Sequence, residues 1–154
     1  MLTIKVNGKS HSVQAAPETP LLYVLRNELG LNGPQFGCGR EQCGSCMVLL
    51  GAQAAYSCRT PVAGIGNTPI TTLEGLSEDG ELHPLQRAFL EEQAAQCGYC
   101  INGMMISAAA LLQRNAHPSD EQIRAALDRN LCRCGVHLRI LRAVRCAAEE
   151  LAKE

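Results

Sequence analysis

The sequence predicts an α+β chain in two parts: a small sheet with one helix, then four helices. Three observations carry this. Leu2, Ile4 and Val6 alternate with Thr3 and Lys5 ahead of Asn7-Gly8, the pattern of a strand entering a hairpin turn. After the polar stretch Ser77-Glu78-Asp79-Gly80-Glu81, the apolar period becomes helical. Eight of the nine cysteines fall into two groups of four, one on each side of that stretch. The expected domains are residues 1–76 and 82–154.

The return strand of the hairpin is expected over Ser10 to Val13. Thr19-Pro20 opens a helix, with Thr19 as N-cap, Pro20 in the first turn and Gly30 closing it. Leu21 and Leu25 mark its buried face, flanked by Leu22 and Leu29. A glycine-rich loop runs from Gly33 to Cys46. Met47 to Leu50 reads as a strand, Ala54 to Ser57 as its hairpin partner, and Ile70 to Leu73 as a last strand. A helix on a small mixed sheet with a metal loop at one edge is a ferredoxin-like (β-grasp) plan. Beyond the linker, helices are expected from His83-Pro84 to Gln96, from Met104 to Gln113, from Ser119 to about Leu131, and from Leu138 to Lys153. Ser119 and Gln122 form a capping box for the third.

A length of 154 residues allows one ordinary domain or two small ones. Small domains bury little apolar surface, and metal clusters or a partner protein are the usual remedies. With no Trp, two Phe and three Tyr, Ala and Leu must supply most of the core. The net charge of −1, without runs of like charge, gives no sign of a nucleic-acid or membrane-surface binder. It also argues against a free-standing acidic ferredoxin that steers partners by a strong negative field. No signal peptide precedes the first strand and no apolar run approaches membrane-spanning length, so a cytoplasmic chain is expected. Cysteines in that compartment are more often metal ligands than disulfides.

The first group is Cys38, Cys43, Cys46 and a later Cys58. The order C-x4-C-x2-C with a distant fourth cysteine is the plant-type [2Fe–2S] arrangement. Such a loop must turn sharply and bring N–H groups close to sulfur, and Gly37, Gly39 and Gly44 suit both needs. A structural zinc site is the rival, although zinc more often takes paired C-x2-C knuckles.

The second group is Cys97 and Cys100, then Cys132 and Cys134. Cys97-Gly98-Tyr99-Cys100 alone fits a thioredoxin-like pair, half a zinc site or half a cluster site. A thioredoxin pair should follow a strand, and this one follows an amphipathic helix. Cys132-Arg133-Cys134 sits in a non-helical loop before Gly135 and supplies two more thiolates. A four-thiolate site at one end of a helix bundle results, suited to a second cluster or to zinc.

The segments GCGREQCGSC, QCGYC and NLCRCG occur here in order, and in them the chain resembles the iron–sulfur subunits of molybdenum hydroxylases, the xanthine oxidase family. The resemblance covers nearly the whole chain. It implies a plant-type ferredoxin domain followed by a four-helix bundle, each holding one [2Fe–2S] cluster. It gives Cys97, Cys100, Cys132 and Cys134 the cluster proximal to molybdenum, and Cys38, Cys43, Cys46 and Cys58 the distal one. Gln96 matches a glutamine that hydrogen-bonds the pterin, and Cys134 a cysteine at the cluster–pterin contact; otherwise Gln96 is an ordinary helix-terminal polar residue. The family also implies molybdopterin cytosine dinucleotide held mainly by a large catalytic subunit; the sequence itself offers no flavin site, so no FAD is expected in this chain.

Where many members carry a polar residue, Pro and Gly after the C-x2-C pair, this chain has Ile101-Asn102-Gly103, and His137 stands where Tyr is common. The segments QAAQCGYCINGMM and NLCRCGVHLRILRAVR look most like small subunits of nicotinate dehydrogenases, then of isoquinoline and aldehyde oxidoreductases. That resemblance implies hydroxylation of an N-heteroaromatic such as nicotinate. It also implies a cytochrome c-type acceptor, through which the complex would reach a membrane.

The remaining residues carry less. Cys146 points away from the stripe of Ile140, Val144, Ala147 and Leu151 and reads as a surface or interface thiol. Arg133 either stabilises a reduced cluster or is a solvated charge. His11, His83, His117 and His137 form no constellation, and Met104 and Met105 read as core. No catalytic set is defended in this chain. The rivals are a zinc-stabilised interaction module and a free ferredoxin serving many partners.

Overall fold

The computed structural model describes residues 1–153. Five strands and five helices follow one another: β1 Leu2–Val6, β2 Lys9–Val13, α1 Leu21–Tyr23, β3 Met47–Leu50, β4 Gln53–Tyr56, β5 Ile70–Thr71, α2 Pro84–Glu91, α3 Ile101–Arg114, α4 Asp120–Leu127 and α5 His137–Leu151. One mixed sheet has the order β2-β1-β5-β3-β4. β1 pairs antiparallel with β2 and parallel with β5, while β3 lies antiparallel to both β5 and β4. Asn7 and Gly8 both take positive φ and close the first hairpin as their sequence requires.

β3 is the hinge of the architecture. Its side chains alternate, as any strand's do. Val48 points into a core with Ile4, Val6, Leu21, Leu25 and Ile70. Met47 and Leu49 point the other way, into a core with α2, α3 and α5. A strand buried on both faces reads as a continuous apolar run, and MVLL is one. The sheet and the helices therefore share a strand.

Several elements differ from expectation. The first helix is a single α turn that widens into a π turn over Val24–Glu28, and Thr19 makes no side-chain cap. Leu21, Leu22, Val24 and Leu25 are all buried and form the helix's packed face. β4 begins one residue earlier than expected, because the hairpin turn is Gly51-Ala52. β5 stops at Thr71, and Leu73–Leu76 is a 3-10 turn.

α2 ends at Glu91 rather than Gln96. Gln93 takes φ 50°, the Gln93 N–H reaches Leu90 O, and the Ala94 N–H reaches Phe89 O at 2.9 Å. This is a Schellman stop with Gln where Gly is usual, and buried Ala94 and Phe89 supply its apolar contact. α3 is longer than expected at both ends, and α4 ends at Leu127 instead of Leu131. The Ser119–Gln122 capping box forms, and His83 with Gln86 makes a second one at the start of α2.

α2 lies along α5, with the Arg87–Glu150 and Arg142–Glu92 pairs between them. Met104 and Met105 are core residues, and Cys146 is exposed on α5. Among the described residues, no helix is long and apolar enough to cross a membrane.

Candidate metal centres

The first four cysteines lie at the edge of the sheet in two contacts, Cys38 with Cys43 and Cys46 with Cys58. Cys38 and Cys43 lie in the loop after α1, Cys46 immediately before β3, and Cys58 just after β4. The loop is folded around sulfur. The N–H groups of Arg40, Gln42 and Cys43 each point to Cys38 Sγ at 3.3 Å, and the Cys38 N–H points to Cys43 Sγ at 3.3 Å. Burial raises the Cys38 thiol, but these N–H groups outweigh it and bring it down to about 7. A Cβ on Gly37 would lie 2.6 Å from Cys43 Sγ, so only glycine permits this approach.

Cys46 and Cys58 are buried together against Leu22, and their thiols interact directly. Burial pushes Cys46 up to about 12, against an opposing bond from the Cys58 N–H. Ser57 Oγ donates to Cys46 O at 2.6 Å and fixes the backbone there.

The second four meet at the ends of the helices. Cys97 is exposed in the loop after the α2 stop, and Cys100 is the buried N-cap of α3. Cys132 and Cys134 lie in the loop between α4 and α5. Cys100 interacts with Cys132, and Cys97 with Cys134. Burial, with the Cys132 sulfur beside it, pushes Cys100 up to about 12. For Cys132 burial raises the thiol, but Cys100 and the N–H groups of Cys134, Val136 and Gly135 prevail and lower it. Each group thus contains sulfurs cradled by backbone N–H donors, which suit a thiolate and a bridging sulfide alike.

In the first group Cys38 interacts with Cys43 and Cys46 with Cys58; in the second Cys97 interacts with Cys134 and Cys132, and Cys100 with Cys132 and Cys97. Four thiols in each group would supply the four ligands that a [2Fe–2S] cluster takes.

The two groups are tied together. The Leu131 N–H donates to Cys43 O at 2.9 Å, and Leu131 is bonded to Cys132. Tyr99 Oη donates to Phe36 O. The amide of Asn102, 3% exposed, donates to Ser45 O and Met47 O at 2.9 Å each. Arg129 stacks over the Tyr56 ring, 4.4 Å from its centroid. Sequence reasoning missed this seam, whose only signal was Asn102 and Ser107 inside an otherwise apolar helix.

Gln96 is exposed. It lines one cavity of about 490 Å³ together with Cys134, Gly135, Val136, Arg139 and Arg142. The two arginines are an addition the sequence did not single out. Arg133 is exposed, and the histidines remain apart.

Comparison with known proteins accounts for both halves. Residues 4–64 match the 2Fe-2S iron-sulfur cluster binding domain, and residues 72–145 the [2Fe-2S] binding domain. The chain is 57% identical over 152 residues to a nicotinate dehydrogenase subunit of Pseudomonas putida, covering 99% of this chain and 97% of that one. It is 47% identical to the alpha subunit of isoquinoline 1-oxidoreductase from Brevundimonas diminuta, covering 99% and 100%. Among solved structures, quinoline 2-oxidoreductase from Pseudomonas putida 86 matches with a TM-score of 0.93 and 34% identity, over 99% of this chain and 95% of that chain. Aldehyde oxidoreductase from Desulfovibrio gigas matches with a TM-score of 0.93 and 38% identity, over 99% of this chain and 17% of that one. The chain belongs to the small [2Fe–2S] electron-transfer subunits of the molybdenum hydroxylases, the xanthine oxidase family.

Proposed function

We propose that this chain carries electrons from the molybdenum centre of a large subunit to a cytochrome c-type acceptor during hydroxylation of nicotinate or a close pyridine relative. In this reading residues 1–76 are a plant-type, β-grasp ferredoxin domain and residues 82–154 a four-helix bundle. Cys97, Cys100, Cys132 and Cys134 hold the proximal [2Fe–2S] cluster, and Cys38, Cys43, Cys46 and Cys58 the distal one. The mixed sheet with its helix, and the four helices that follow, support the fold assignment. The observation that carries the electron route is the 2.9 Å bond from the Leu131 N–H to Cys43 O. It joins the two cysteine groups through Leu131 and Cys132.

The large subunit supplies the molybdopterin cytosine dinucleotide, whose chemistry when bound is oxidation of the substrate with oxygen taken from water. This chain's part is to face it. Gln96 offers an amide and Cys134 a sulfur on the wall of one cavity, beside Arg139 and Arg142. Leu131 and Leu138 are 63% and 70% exposed beside the second cysteine group, and a partner would cover them.

The substrate is supported by likeness, at 57% identity, to one nicotinate dehydrogenase subunit, and the cytochrome acceptor is for the turnover assay to establish. The test is turnover of the assembled complex in oxygen-18 water, offering nicotinate, isoquinoline and an aromatic aldehyde with cytochrome c or NAD as acceptor. Label in a hydroxypyridine, with cytochrome c reduced, supports the reading. Activity on the aldehyde alone, or a requirement for FAD and NAD, overturns it.

A further inference from the structure

Asn130 stands two positions before Cys132 and is 6% exposed. Its Nδ2 donates to Ser107 Oγ at 2.8 Å, and that hydroxyl donates to Met47 Sδ at 3.0 Å. Its Oδ1 is buried and accepts no N–H or O–H bond. What faces this oxygen is glycine. A Cβ on Gly44 would lie 2.3 Å from Oδ1, and one on Gly103 would lie 2.5 Å from it. The hydrogens that occupy those positions point at the amide oxygen, as weak Cα–H donors. A Cβ on Gly103 would also meet Gly44 O at 2.1 Å.

The three residues belong to three cysteine-bearing segments. Gly44 follows Cys43, Gly103 lies in the first turn of α3 behind Cys100, and Asn130 precedes Leu131 and Cys132. The next residue after Asn130 makes the bond to Cys43 O.

We propose that Asn130 is a positioning residue for electron passage between the two clusters, clamping Leu131 against Cys43 through its contacts to Gly44 and Gly103. The step it would serve is the passage of one electron from a reduced proximal cluster held by Cys97, Cys100, Cys132 and Cys134 to an oxidised distal one held by Cys38, Cys43, Cys46 and Cys58. No bond breaks, and Asn130 touches neither cluster's ligand sulfurs. The proposal rests on the ligand assignment given above.

The test uses Asn130→Ala and Gly103→Ala in the assembled holo-complex. The first removes the clamp. The second drives a methyl group against Gly44 O, while alanine favours the helix that carries it. Iron content and the separate paramagnetic signal of each cluster check the ligand assignment independently. With those intact, the magnetic splitting between the reduced clusters should shrink in both variants. After rapid mixing with substrate, the proximal cluster should be reduced at the wild-type rate and the distal cluster several-fold more slowly. Wild-type splitting and wild-type distal reduction in both variants would overturn the proposal. So would loss of one cluster's signal in both, because Asn130 would then act in cluster assembly rather than in passage.

Discussion

Replacing Asn102 by alanine should loosen the seam between sheet and helices by an amount the structure sets. Asn102 is buried on α3 and gives both amide hydrogens to backbone carbonyls of the first cysteine loop and β3. Ser45 O keeps a second donor, the Gln35 N–H at 2.9 Å. The loss there is therefore about 1 kcal/mol, that of one net hydrogen bond. Met47 O loses a buried partner, which adds about 1–2 kcal/mol. The sum, about 2–3 kcal/mol, lowers the melting temperature by roughly 4–12 °C for a chain of this size. Asn102→Asp keeps the shape but turns an oxygen toward two carbonyl oxygens. A buried carboxylate there is repelled and desolvated, so this variant should be worse than alanine. The assay is loss of the visible iron–sulfur absorption against temperature in the purified complex. Both clusters should bleach earlier, because the seam touches Ser45 and the base of α3 together. A change below about 0.5 kcal/mol in both variants, smaller than one net hydrogen bond, would refute the reasoning. So would an Asp variant as stable as the wild type.

Two further predictions concern the individual centres. Cys43→Ser should damage the distal cluster and spare reduction of the proximal one, whereas Cys134→Ser should damage the proximal cluster and slow electron exit; paramagnetic resonance after dithionite reduction separates the two, and loss of the same signal in both would break the grouping. Gln96→Ala should leave both clusters assembled and weaken coupling to the pterin by about one hydrogen bond, ~0.5–1.5 kcal/mol, read as a slower reduction of the clusters by substrate; an unchanged rate removes Gln96 from that contact.

What was legible in the chain follows from how local each signal is. Alternation over Leu2–Val6, the Asn7-Gly8 turn and the Ser119–Gln122 box are written in neighbouring residues, and all three form. The clusters Cys38-Cys43-Cys46, Cys97-Cys100 and Cys132-Cys134 were legible as short spacings, whereas the contact of Cys100 with Cys132 is long-range. The stop of α2 was not, because Gln93 takes a left-handed conformation that glycine would have announced. Helix-forming residues continue through Glu92 and Gln93, so periodicity alone ran on to Gln96. The end of α4 was hidden for a different reason. The Leu131 N–H leaves the helix direction for Cys43 O, a partner far away in sequence. The seam of Asn102, Ser107 and Asn130 is likewise non-local: its partners Ser45 and Met47 lie more than fifty residues from Asn102. MVLL read as an apolar strand, but not as one whose two faces serve two different cores.

The central claim is that two [2Fe–2S] clusters in this one chain carry the electrons of the complex. Its most direct test is metal and sulfide analysis of the purified complex joined to paramagnetic resonance after reduction by substrate. About four irons and about four labile sulfides are expected per copy of this chain, two of each per cluster, with two distinguishable signals both developed by substrate. Stoichiometric zinc, a single signal, or a cluster that dithionite reduces and substrate never does would contradict it.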